Sequence, residues 1–161
     1  MGDYNMNVVL FYISILIVWI VFLIIIRKKP IGISVIMIGI ASAAYSLVYD
    51  VTLGEYFGLY YYIDLKNSVL YMILGALFLY PVLNMIYAIF LPHNRKTIIA
   101  YTFLWIICML FFEYITILTK TIVFTGWKPI PWSIITYILT YYGIYTLYNY
   151  INTRIYKKHI T

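Results

Sequence analysis

Glu113 is the one formally charged residue in the apolar run 97–118, and a carboxyl group in that setting has few uses. At a bilayer centre it costs roughly 2.5–3.5 kcal/mol on insertion scales, so it turns toward a partner or water. At about 1.5 Å per residue it lies some 7 Å from the end of its run, where the cost is smaller. Thr116 at i+3 and Lys120 at i+7 share its face if the helix continues. Lys120 can then fold back on the carboxylate, and Lys128 can approach from the loop that carries Trp127. Three roles are open: a satisfied carboxylate that pins its helix, a proton or ligand site, or a group snorkelling to the head groups. Asn84, within another apolar run, offers an amide for hydrogen bonds between helices or for binding. Glu113, Thr116, Lys120, Lys128, Trp127 and Asn84 form the candidate polar site.

Tyr137, Tyr141, Tyr145 and Tyr148 recur at spacings of four, four and three, which places them on one helical face. That stripe is either a packed aromatic surface or the phenolic wall of a cavity. His93 and His159 each sit in or beside a basic cluster, and no His/Cys/Asp/Glu group has metal-ligand spacing. No Gly-rich phosphate loop occurs, and no serine carries a nucleophile signature. No metal, cofactor or catalytic residue is assigned. Cys108, the single cysteine, lies in an apolar run and reads as a small hydrophobe.

The elements that must position these side chains follow from composition. Hydrophobic residues make up 65% and charged residues 10% of the 161, against about 45–50% and about 25% in soluble domains. Too few charges remain to cover a water-facing surface. Apolar runs at residues 6–26, 31–49, 67–91, 97–118 and 132–151 predict an all-α, polytopic membrane bundle of about five spans, one domain with short loops. The first run lacks the positive start and small-residue cleavage site of a secretory signal and is expected to stay as a span. The second is rich in small residues and is expected at the packed centre. Pro81 is expected to kink the third. Asp50–Lys66, with Tyr60, Tyr61 and Tyr62, reads as an exposed interfacial loop that could hold a short helix.

Cations set the expected orientation. With the start of the first span outside, Arg27, Lys28, Lys29, Arg95, Lys96, Arg154, Lys157 and Lys158 fall inside, and only Lys66, Lys120 and Lys128 outside. Eight against three accounts for all 11 and predicts an N-outside, C-inside topology. The net charge of +6 belongs to these clusters, which meet anionic lipid rather than nucleic acid.

Phe112-Glu113-Tyr114, Phe124-Thr125-Gly126-Trp127-Lys128 and Ser133, with Pro81-Val82-Leu83 before a basic loop, resemble an uncharacterised family of small multi-pass membrane proteins from spore-forming relatives of Bacillus and Clostridium. The resemblance covers residues 64–151 and implies a bacterial cytoplasmic membrane, with no activity attached. The leading expectation is a non-catalytic scaffold, sensor or envelope subunit working through a membrane-protein partner or a second copy. A small-solute or ion carrier built on Glu113 is the alternative, and an intramembrane lipid-modifying enzyme the third.

Overall fold

The protein was analysed as a computed structural model that describes residues 2–92 and 94–158; His93 and His159 lie outside these. The chain is nearly all helical: α1 (Gly2–Lys28), α2 (Ile33–Tyr49), α3 (Ser68–Leu74), α4 (Tyr80–Ile89), α5 (Arg95–Leu118) and α6 (Ile134–Lys158). Two short strands, β1 (Tyr60–Tyr62) and β2 (Ile122–Phe124), qualify the all-α expectation. They pair antiparallel, Tyr60 opposite Phe124 and Tyr62 opposite Ile122.

Among the described residues, four helical stretches are long and apolar enough to cross a bilayer: Met6–Lys28, Ile33–Tyr56, Ser68–Ile89 and Lys96–Leu118. Helix α6 is not among them, because tyrosine, threonine and asparagine dilute its aliphatic residues. Its full 25 residues nonetheless reach about 37 Å, more than the roughly 30 Å hydrocarbon core.

Three irregular turns interrupt the helices. Helix α2 widens into a π-helical stretch, Asp50–Tyr56. Helices α3 and α4 are joined by a second, Gly75–Leu79, where the Tyr80 N–H reaches back five residues to the Gly75 carbonyl. Pro81 follows immediately; it has no N–H to donate into the preceding turn, and the widened turn accommodates that loss. The third, Pro129–Ser133, leads into α6 and contains Ile130 in extended conformation.

The packed centre is the third stretch, half of whose most apolar window is buried, against 39% for the second. This corrects the assignment of the centre to the small-residue helix, although α2 does approach α4 closely. A Cβ at Gly39 would sit 2.6 Å from the Met85 sulfur, so a larger residue there would require the Met85 side chain to shift. The windows of the first and fourth stretches are 11% and 17% buried, and their exposed Ile, Leu and Phe side chains suit a lipid surround.

The ribbon ties the α2–α3 connection to the α5–α6 connection, so both lie at one end of the bundle. Phe11 joins Tyr60, Tyr62, Tyr71, Met72 and Ile122 in one buried cluster there, with its ring edge-to-face with those of Tyr62 and Tyr71. Arg27 and Lys28 close α1 at the opposite end, near the start of α2 and of α5. The segment expected as an exposed loop that could hold a short helix does hold the helical turn Asp50–Tyr56 and leaves Glu55, Tyr56, Phe57, Leu65 and Lys66 exposed, but Asp50, Gly54, Tyr60, Tyr62 and Ile63 are buried. Ile63 adopts φ 61°, unusual for a β-branched residue. The Asp64 N–H closes a γ-turn onto the Tyr62 carbonyl at 2.6 Å, and the Ile63 N–H donates to the Thr121 carbonyl at 3.0 Å.

Candidate functional site

Beneath the ribbon lies a cavity of about 130 Å³, walled by α2, α4, α5, α6 and both strands. Its lining includes two acids, Asp50 and Glu113, together with Asn84, Thr116, Ser133 and Trp127, and, among the described residues, no Lys, Arg or His. Residues of two irregular turns, and the residue that follows the other, line it. Asp50 opens the first, Tyr80 follows the second, and Ser133 ends the third. Widened helical turns recur at functional sites because they rotate a side chain out of its regular helical position.

Glu113 is 8% exposed and fully engaged. One carboxylate oxygen accepts from the Ser133 hydroxyl at 2.6 Å and the other from the Tyr137 hydroxyl at 2.8 Å. Ser133 in turn accepts from the Trp127 indole N–H at 3.0 Å. A chain from Trp127 through Ser133 thus ends on the carboxylate. Trp127 is itself placed by the backbone, since the N–H groups of Thr125, Gly126 and Trp127 all converge on the Leu59 carbonyl at 3.0 Å.

Asp50 is 4% exposed and only half engaged. Its Oδ1 accepts from the Tyr60 hydroxyl at 2.8 Å, and its Oδ2 has no hydrogen-bond partner. Burial, reinforced by the Asp50 carboxylate, pushes the Tyr60 and Tyr62 phenols well above the usual tyrosine range. Both therefore remain neutral hydroxyls. The Tyr62 hydroxyl pairs with that of Tyr80 at 2.5 Å, and the Tyr62 N–H donates to the Ser68 hydroxyl at 2.9 Å, locking β1 onto α3.

Of the residues singled out from sequence, Glu113, Thr116, Trp127 and Asn84 meet at this cavity, and Lys120 and Lys128 do not line it. Lys120 is exposed and turns the chain out of α5 at φ 52°; Lys128 is exposed in the following loop. The carboxylate's partners are hydroxyls instead of the expected ammonium. Thr116 shares the face but donates to the Glu113 backbone carbonyl at 2.7 Å. Asn84 donates to Ser42 at 3.1 Å, joining α4 to α2 while facing the cavity.

The tyrosine stripe turns inward. Tyr137 binds Glu113, and Tyr141 accepts from the Trp105 indole at 2.6 Å while packing against Tyr87. Tyr145 and Tyr148 pack on the apolar core below. Asp50 and Tyr60, read from sequence as loop residues, are the site members that reading missed. The available signal was position: Asp50 is the first charge after the uncharged run 31–49, too close to its end to be placed reliably outside it.

Chemically, two acids dominate the cavity, and the donors that reach them are spent. The Ser133, Tyr60, Tyr137 and Trp127 protons are all committed to protein acceptors. Ser133 is 4% exposed, and its oxygen accepts the indole N–H while its proton goes to Glu113. No His/Cys/Asp/Glu group among the described residues could hold a metal ion. No family model, curated protein or solved structure matches the chain.

Proposed function

We propose that this is a five-span protein of a bacterial cytoplasmic membrane that binds a small solute in the cavity between Asp50 and Glu113 and carries it. One observation supports this reading above the others: Glu113, Asn84 and Asp50, on three different segments, line one cavity. A dry, tightly packed bundle at that place would instead favour the scaffold reading. A volume of about 130 Å³ has room for several waters, and its polar walls offer them partners. The irregular turns at its rim are the elements that can change the cavity's access without unfolding a helix.

In this reading α6 is the fifth crossing. The ribbon end faces outward, since the cation clusters at Arg27–Lys29 and Arg95–Lys96 gather at the other end. The resemblance to the spore-former membrane proteins accords with that location.

Cysteine accessibility tests the proposal. In a Cys108→Ser background, Ser46→Cys and Thr140→Cys, both cavity positions, are expected to react with a membrane-impermeant thiosulfonate in intact cells. Val48→Cys, 67% exposed and on an apolar helix, is expected to stay unlabelled in lipid. Thr125→Cys at the ribbon end should label without permeabilisation and Asn94→Cys only after it. Labelling at Thr125 with silence at both cavity positions would mean a dry cavity and defeat the solute reading.

A further inference from the structure

The hydrogen-bond inventory narrows what the cavity can take. The hydroxyls that reach the two acids, and the indole behind them, are already committed, and among the described residues no cationic side chain lines the wall. An anion would face two acids and no cation. The unspent capacity is the Asp50 Oδ2, buried without a partner in a residue that is 4% exposed, and the faces of the surrounding rings.

Those rings form a corner. Trp127 stands at 81° to Tyr49, centroids 6.1 Å apart, and at 78° to Tyr60, centroids 6.4 Å apart. Tyr60 carries the hydrogen bond to Asp50, so the carboxyl group sits at the hydroxyl of one of these walls. Near-perpendicular electron-rich faces beside one carboxylate are the arrangement that attracts alkylammonium groups, through the ring quadrupoles and the charge together. A hard metal cation would want several free oxygen ligands, and here a single carboxylate oxygen is unspent. A neutral solute would leave the buried Oδ2 as it is.

We propose that the cavity binds a small organic ammonium ion, a methylated amine of choline type, with Asp50 as counter-ion and Trp127, Tyr49 and Tyr60 as walls. This rests on the reading of the cavity as a solute site. The size agrees, because a cavity of about 150 Å³ holds a molecule as large as benzene, and this one is about 130 Å³. Glu113, with both oxygens satisfied by hydroxyls, positions Ser133 and Tyr137 and has less charge to spare for the ligand.

The test is equilibrium binding of choline and tetramethylammonium to the full chain in lipid nanodiscs, beside dimethylbutanol, the neutral carbon isostere of choline. Choline should bind saturably, and the isostere about tenfold or more weakly. Asp50→Asn should weaken choline by a similar or larger factor, and Trp127→Leu should weaken it with Asp50 intact. Equal binding of choline and its isostere would overturn the ammonium assignment while leaving the solute site standing. Reactive cavity cysteines with no choline binding would do the same. Unreactive cysteines with no binding of any of the three probes would remove both proposals. Should Asp50→Asn fail to fold, the ratio of choline to isostere on the unaltered chain still decides the matter.

Discussion

Glu113 and Asp50 line the same cavity, but the fold treats them differently. Glu113 projects from the regular helix α5 and receives hydroxyls from two residues of the α6 segment, 20 and 24 positions along the chain. Asp50 sits where α2 loses its regularity and receives one hydroxyl, from Tyr60 ten positions away. A buried carboxylate supplied with charge-assisted hydrogen bonds holds its neighbours together. One left half supplied is a cost to stability, kept where something else supplies the missing partner. On the proposed reading, the contrast separates a structural acid from a binding acid within one cavity.

The contrast can be broken at three places. The largest expected effect is Glu113→Ala, which strands the Ser133 and Tyr137 hydroxyls and loosens the Trp127 loop. A loss of about 3 kcal/mol is expected from two buried groups left unsatisfied, read by denaturant unfolding in mixed micelles with tryptophan fluorescence. No loss would mean that Glu113 does not bind α5 to α6.

Asp50→Asn is expected to change stability in the opposite direction. The amide oxygen can still accept from Tyr60, while the buried charge is gone, so a gain of about 1 kcal/mol is expected in the same assay without ligand. A loss as large as that of Glu113→Ala would erase the distinction between the two acids. The smallest effect belongs to Lys120→Met. With the ammonium exposed and outside the cavity lining, a change within about 0.5 kcal/mol is expected. Combined with Glu113→Gln it should be additive, because no pairing connects the two. Partial recovery in the double mutant would restore the ion pair that the helical spacing suggests.

The packed end of the bundle makes a second comparison. Tyr87, Tyr101, Trp105 and Tyr141 crowd together there, Tyr87 and Tyr101 stacked at 20° and the Tyr87 and Tyr141 centroids 4.7 Å apart. Their polar atoms pair with one another and with Thr102. Similar residue types thus make a closed aromatic core below and an open cavity above. The difference lies in the backbone: α4 and α6 run regularly past the core, whereas irregular turns border the cavity.

Much of this was legible along the chain. In hydrocarbon each segment must satisfy its own backbone hydrogen bonds, so a span appears as an uninterrupted apolar run bounded by charge. Four of the five runs therefore coincide with helical stretches long and apolar enough to cross a bilayer, and Glu113 stands out as an acid inside one of them. The positions of Pro81 and Asn84 were equally visible, because both depend on local composition. What tertiary structure alone decided is which groups meet. Helical spacing offered Lys120 as a partner for Glu113, since it is the cation that falls on the same helical face. The actual partners come from a different helix, at a distance in sequence that no local period encodes. Asp50 was read as the edge of a span until the widened turn and the ribbon brought Tyr60 onto it. Burial in lipid is a property of segments and is written in composition; a cavity is a property of the gaps between segments and exists only once they have packed.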